Sequence, residues 1–222
     1  MALDVCVGSL TRYYANVGYR IAHAVTPADS VKDPARITPA ILAWRTALSE
    51  RLGDNIPVPL DWEETLAAPH FTGRPGWDGL AALVLWAAYA EQPSLQCPGR
   101  LSEGWEDDPA LGRSNALGFR SRYAHVVRNV EIWLPSSFQS TFECEDIGQR
   151  RVVVGSLPTL RRQLDELNGA TWKAGASAVP GWRQIPPAGD ASLEQCARFG
   201  FAVMVDAAQR AIDVHLPMKL DY

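Results

Sequence analysis

The densest grouping of chemically capable side chains runs from His70 to Gly79, His-Phe-Thr-Gly-Arg-Pro-Gly-Trp-Asp-Gly. A glycine-rich approach to an apolar helix leaves backbone amides free at the positive end of the helix dipole. Arg74 adds a guanidinium able to clamp a carboxylate or phosphate, so Arg74 and Asp78 are ligand-binding candidates. The competing reading makes Asp78 the helix's own cap and leaves the glycines and prolines only to shape the turn. A second grouping is Arg120, Arg122, Tyr123, His125 and Arg128. Helical spacing there puts Arg122 beside His125 and His125 beside Arg128. Glu143 and Glu145 alternate onto one face of a strand, with Cys144 and Asp146 on the other. Together these residues give the alternative reading, a small enzyme or ligand-binding protein acting on an anionic molecule in a pocket between residues 73–79 and 120–128. Arg74, Asp78 and Arg122 would bind, and His125 and Glu143 would move protons. Against this stands the ordinary fate of charges on one face of a hairpin, which is to meet water.

The tryptophans give a different reading. Trp44, Trp86 and Trp133 fall within expected elements, whereas Trp62, Trp77, Trp105 and Trp182 fall in loops rich in proline, glycine and acid. An indole on a loop either folds back over the core or waits for a partner, and tryptophan is enriched at binding hot spots. Acidic neighbours such as Glu106, Asp107 and Asp108 would steer a partner with a basic surface. Trp62, Trp77, Trp105, Glu106, Asp107 and Asp108 are therefore the partner-binding candidates. By character this suggests a non-catalytic protein of the immunity type, neutralising a toxin by binding it.

Several activities lose their sequence basis. No phosphate-cradling G-x-x-x-x-G-K-[ST], dinucleotide-binding G-x-G-x-x-G or zinc-binding H-E-x-x-H occurs. Gly112-Arg-Ser-Asn-Ala and Gly175-Ala-Ser-Ala-Val resemble a nucleophile elbow, but both lack its closing glycine. The four histidines, at 23, 70, 125 and 215, and the four cysteines, at 6, 97, 144 and 196, are scattered without chelating spacing. No metal or cofactor is assigned, and the cysteines are expected to be free thiols. A net charge of −4 and an isoelectric point near 5.6 supply no broad electrostatic footprint for nucleic acid. The longest uncharged apolar run, Gly79 to Ala90, falls short of the roughly 20 residues that span a bilayer. The acid at Asp4 sits where a secretory leader would be basic. A cytoplasmic location follows as an expectation, and the arginine-rich choice of cation suggests a GC-rich bacterial genome.

These side chains must be positioned by a modest set of elements. With 222 residues, 47% of them hydrophobic and 21% charged, the chain can close around one core. Alternation predicts a strand over 3–10, and Thr38-Pro39 predicts a helix start running to Gly53. Residues 17–25 fit strand or helix equally, and a loop is expected around 27–34. The stretch 54–77 reads as loop. Asp78 is expected to cap a central helix to Glu91, followed by an irregular stretch over 93–118. A short helix over 121–128 should lead to strands at 130–134, 138–146 and 151–154, in antiparallel succession. Leucines at 157, 160, 164 and 167 mark a further helix, and a long C-terminal helix should run from Asp190 to about Leu216. Strands clustered in mid-sequence and flanked by helices predict a single α+β domain over 1–222, a small antiparallel sheet of about four strands packed with four to six helices.

Overall fold

The computed structural model describes residues 3–17 and 33–222. The expectations for 17–25 and for the 27–34 loop fall almost wholly outside them. The architecture is mixed α and β, and its sheet is larger than the sequence suggests. Among the described residues it has six strands, in the order β2-β1-β6-β3-β5-β4. They are β1 (Asp4–Val7), β2 (Phe71–Gly73), β3 (Ile132–Leu134), β4 (Phe142–Glu145), β5 (Arg151–Ser156) and β6 (Met218–Asp221). The two extra strands are β2 and β6, three and four residues long; β2 lies in the stretch 54–77 expected to be loop, β6 follows the C-terminal helix, and both are strands through pairing with β1. The expected antiparallel succession is also corrected. β3 pairs in parallel with β5 and antiparallel with β6, so the C-terminal strand lies between β1 and β3 and joins the two halves of the sheet.

Seven α-helices are described, one more than the expected upper number: α1 (Leu10–Tyr14), α2 (Pro34–Leu52), α3 (Gly76–Glu91), α4 (Pro109–Ser114), α5 (Ala124–Val127), α6 (Leu157–Ala170) and α7 (Leu193–Asp213). α2 starts before Thr38. Asp33 caps it and Pro34 takes the first turn, so Pro39 lies inside the helix. α3 starts at Gly76 rather than behind Asp78, and Pro75 at its N-cap makes no side-chain bond. α6 buries its leucine stripe, and α7 opens with a reciprocal capping box between Ser192 and Gln195. No described helix is long and apolar enough to cross a membrane.

The sheet separates two apolar clusters. Val5, Val7, Trp133, Met218 and Leu220 face α3, α6 and α7, while Ile132, Leu134, Val152 and Val154 pack with Ile37, Ile41 and Leu48 of α2. α3 is buried on nearly every side, as expected of a central helix, and crosses α7 where Gly79 meets Gly200. β1 and β6 break the apolar pattern of the second face. In their register Asp4 pairs with Asp221 and Cys6 with Lys219, so four polar side chains leave that part of the sheet together.

α1 covers this polar half and is held from a distance. The Glu64 carboxylate accepts from the backbone N–H groups of Leu10 (3.0 Å) and Thr11 (2.8 Å) and from the indole N–H of Trp62. A buried anion thus satisfies the orphan amides at the helix start. Glu64→Gln would put an amide N–H against these donors and should cost about 2 kcal/mol, within the range for losing buried charge-assisted hydrogen bonds. Urea unfolding would measure it, and an unchanged midpoint would refute the role.

Candidate functional sites

Arg74, Trp77 and Asp78 do come together, in a groove of about 680 Å³. One wall is β2 and the first turn of α3, the other is α7, and residues 183–187 close the end. The lining is mainly apolar, with Phe71, Phe199, Val203 and Pro186 among its members. Gly73 and Gly79 keep it open, since a Cβ on Gly73 would lie 3.0 Å from Val203 and one on Gly79 3.2 Å from Phe199. Three guanidiniums stand around it. Arg74 binds Asp4 at 2.7 Å, while Arg183 (2.5 Å) and Arg210 (2.9 Å) share Asp206. Arg210 also lies 5.1 Å over the Phe71 ring. Because α3 begins at Gly76, Asp78 is not its cap, and the first turn that lines the groove carries no side-chain cap. The Trp77 ring is 40% exposed and meets Tyr222 edge-on at 5.4 Å.

The other expected ligand residue is far away. Arg122 follows the opposite end of α3, where its backbone N–H donates to Glu91. Sixteen helical residues, a little over 20 Å, separate the two ends. The 73–79 and 120–128 segments therefore do not form one pocket. His125 is sealed in the core, its Nδ1 3.4 Å from Gln163 Nε2 and its backbone N–H bonded to the Gln163 side chain. Burial, reinforced by Arg162 and Arg128, pushes its pKa down to about 4. Glu143 is exposed on edge strand β4 and pairs loosely with Arg151 at 3.7 Å. Among the described residues no hydrogen bond joins His125 to Glu143, so an imidazole without solvent access and a solvated carboxylate do not compose an acid–base pair.

The loop tryptophans divide as well. Trp62 is buried beneath Arg45, whose guanidinium lies 5.2 Å from the ring centroid. Trp105 is half-buried against the larger apolar cluster. Asp108 caps α4 through the Ala110 N–H and accepts from the Tyr89 hydroxyl. Glu106 and Asp107 remain exposed. Of the three rings proposed for a partner, only Trp77 stands substantially in solvent.

Sequence reasoning missed a second centre, the polar half of the sheet under α1. Lys219 is 1% exposed and its Nζ has no hydrogen-bond partner among the described residues. It lies 4.8 Å from the Tyr13 ring centroid and 5.9 Å from that of Tyr14. The two hydroxyls donate outward, Tyr13 to Asp221 and Tyr14 to Asp146, each at 2.8 Å. Arg150 bridges Asp146 and Glu131 from the β4–β5 turn. Burial and then Arg150 lower the Lys219 pKa against the pull of Glu131, Asp146 and Asp221. Burial, aided by Asp221 and Asp4, pushes the Cys6 thiol up to about 12. The available signal was composition: only three lysines, at 32, 173 and 219, stand among twenty-one basic residues, and one of them sits between apolar Met218 and Leu220.

No protein-family model, no curated protein and no solved structure matches this chain, so the reading of both centres rests on their own geometry.

Proposed function

We propose that the protein is a binding protein that holds a small organic anion with an apolar or aromatic body in the groove between β2, the start of α3 and α7. The observation that carries this reading is the groove itself. Its volume of about 680 Å³ lies in the range of small-molecule sites, and its mainly apolar lining is edged by a few charged groups. Arg74 is paired with Asp4, but Arg183 and Arg210 share the single carboxylate of Asp206, so the α7 wall carries one more cation than anion. An uncapped helix start favours the same sign of ligand. Trp77 would cover the apolar body and Arg74 would meet the acid group.

The test uses 2-naphthoate and phenyl phosphate as probes and 2-naphthalenemethanol as the uncharged control, followed by calorimetry and thermal shift. An anionic probe should raise the melting temperature more than the alcohol. Trp77→Ala and Arg74→Gln should each weaken its binding about tenfold, the equivalent of about 1.4 kcal/mol. Equal binding of anion and alcohol, or affinity unchanged in both variants, would defeat the proposal.

One observation favours a second reading, in which the groove receives a segment of another protein. Trp77, Tyr222 and Ile185 are exposed large side chains at or near its rim. This retains the partner-binding role of Trp77 and moves it away from the acidic loop at 105–108. Small anions would then fail to bind, while Trp77→Ala would abolish capture of the partner.

A further inference from the structure

Lys219 poses a physical problem that the groove does not solve. It projects from a strand paired on both sides, opposite Cys6 and Ile132, and its nitrogen is enclosed without a hydrogen-bond acceptor among the described residues. A methionine or leucine there would avoid the cost of a buried, unpaired donor. The surroundings are specific. Two tyrosine faces flank Nζ, and the tyrosine rings meet edge-on at 5.2 Å. Their hydroxyls are bonded to carboxylates. The neighbouring Cys6 cannot serve as a nucleophile at neutral pH, because its thiol stays protonated. Lys219 can, because burial lowers its pKa and so disfavours the charged, non-nucleophilic form.

We propose that Lys219 is an imine-forming amine that condenses with a small, uncharged aldehyde or ketone entering beside Arg150. The Nζ lone pair attacks the carbonyl carbon, forming the C–N bond, and the carbonyl oxygen takes up a proton. Loss of that oxygen as water and of the nitrogen's protons leaves the C=N bond. One amine and one carbonyl thus give one imine and one water, with no oxidant or reductant. The Tyr13–Asp221 and Tyr14–Asp146 pairs supply and receive the protons. The iminium formed on protonation lies over the ring faces and beside carboxylates, both of which favour a cation. Arg150 marks the entrance because its side chain is 55% exposed while the Asp146 it covers is buried. Four carboxylates, Asp4, Asp146, Asp221 and Glu131, outnumber the guanidiniums of Arg74 and Arg150. This balance disfavours carbonyl compounds that carry an acid group. The centre lies on the opposite face of the sheet from the groove; only Arg74, through Asp4, touches both, and the Lys219 and Tyr14 variants leave it intact, so the two proposals are tested separately.

The experiment treats the full chain with propanal or glyoxylate and cyanoborohydride at pH 7, then maps the adduct by peptide mass. With propanal, Lys219 should be alkylated at least tenfold faster than exposed Lys173, and glyoxylate should label it more slowly than propanal. Tyr14→Phe keeps the ring but removes the hydroxyl, and should slow labelling of Lys219 while leaving Lys173 unchanged. Lys219→Met should abolish the fast adduct. If Lys219→Met does not fold, the wild-type map and the Tyr14→Phe rates still decide the matter. Labelling of Lys173 alone, labelling of Lys219 only in urea, or a Tyr14→Phe rate equal to wild type would overturn the proposal.

Discussion

Replacing Gly200 with alanine will destabilise the protein by at least about 3 kcal/mol, at the upper end of what one added methyl group costs in a packed interior. A Cβ at this position would sit 2.1 Å from the Gly79 carbonyl oxygen and 2.5 Å from its carbon. Both obstacles are helix backbone, so no rotamer change relieves them. α3 and α7 would have to move apart until 2.1 Å became the 3.4 Å of ordinary contact. Because α3 is central, the displacement would loosen packing along Leu83, Ala87, Phe201 and Met204, all buried in the same cluster. For a chain of this size the loss corresponds to a fall in melting temperature of roughly 6–12 °C. Gly112→Ala is the matched control. Nothing lies within 4 Å of its Cβ, it sits in α4, and the change should be neutral or stabilise by about 0.5–1 kcal/mol. Equal melting temperatures for the two variants would contradict the close helix crossing. Gly79 and Phe199 line the groove, so the Gly200 variant should also bind the anionic probe more weakly.

That crossing illustrates what was legible in the sequence. The leucine-striped α6 and the long α7 announce themselves because burial of one face imposes a periodicity that a one-dimensional pattern can carry, and the central α3 does so because burial all round leaves an unbroken apolar run. The closeness of α3 to α7 does not, because a glycine on one helix says nothing about which glycine faces it. The sheet failed for a related reason. β2 and β6 are defined by pairing with β1, 65 and more than 200 residues away in the chain, and no local pattern specifies a partner. The early helix start at Pro34 was missed because Asp33-Pro34 and Thr38-Pro39 carry the same signature, and only the structure shows that the first one acts.

The candidate sites follow the same division. Arg74, Trp77 and Asp78 were found together because they are neighbours in sequence at a helix start, where the backbone itself creates the site. Arg122, His125 and Glu143 were grouped by type, and the fold separates them. Trp62 shows the limit of reading a loop as wet. It lies in irregular backbone, yet Glu64 satisfies its indole N–H and Arg45 covers its ring. The Lys219 centre draws on the first two elements of the chain, β1 and α1, and the last, β6, joined by the β4–β5 turn. Only antiparallel register, Cys6 against Lys219 and Asp4 against Asp221, collects those side chains on one face.

His125, excluded from catalysis by its burial, should instead govern stability in acid. In the folded protein its ring centroid is 6.3 Å from that of Phe138, its carbonyl accepts from the Trp133 indole N–H, and it lies against Gly155, where a Cβ would come within 2.8 Å of its Cδ2. Gln163 is its side-chain hydrogen-bonding partner, and Arg162 and Arg128 are the charges that act on it. Its pKa is about 4 when folded, against 6.5 when exposed. Between these values the unfolded chain holds a proton that the folded chain does not, so stability must fall as the pH is lowered from 6.5 toward 4. The full difference amounts to about 3 kcal/mol at 1.36 kcal/mol per unit. Paired carboxylates also weaken the fold in acid, so the decisive quantity is a difference of slopes. Urea unfolding of the wild type and of His125→Leu at pH 7.5, 6, 5 and 4 isolates it. The variant should start less stable, through its lost contacts, and then lose less as the pH falls, the two curves converging by about 3 kcal/mol. Parallel curves would mean that the imidazole titrates alike in both states and is therefore not buried as a neutral ring.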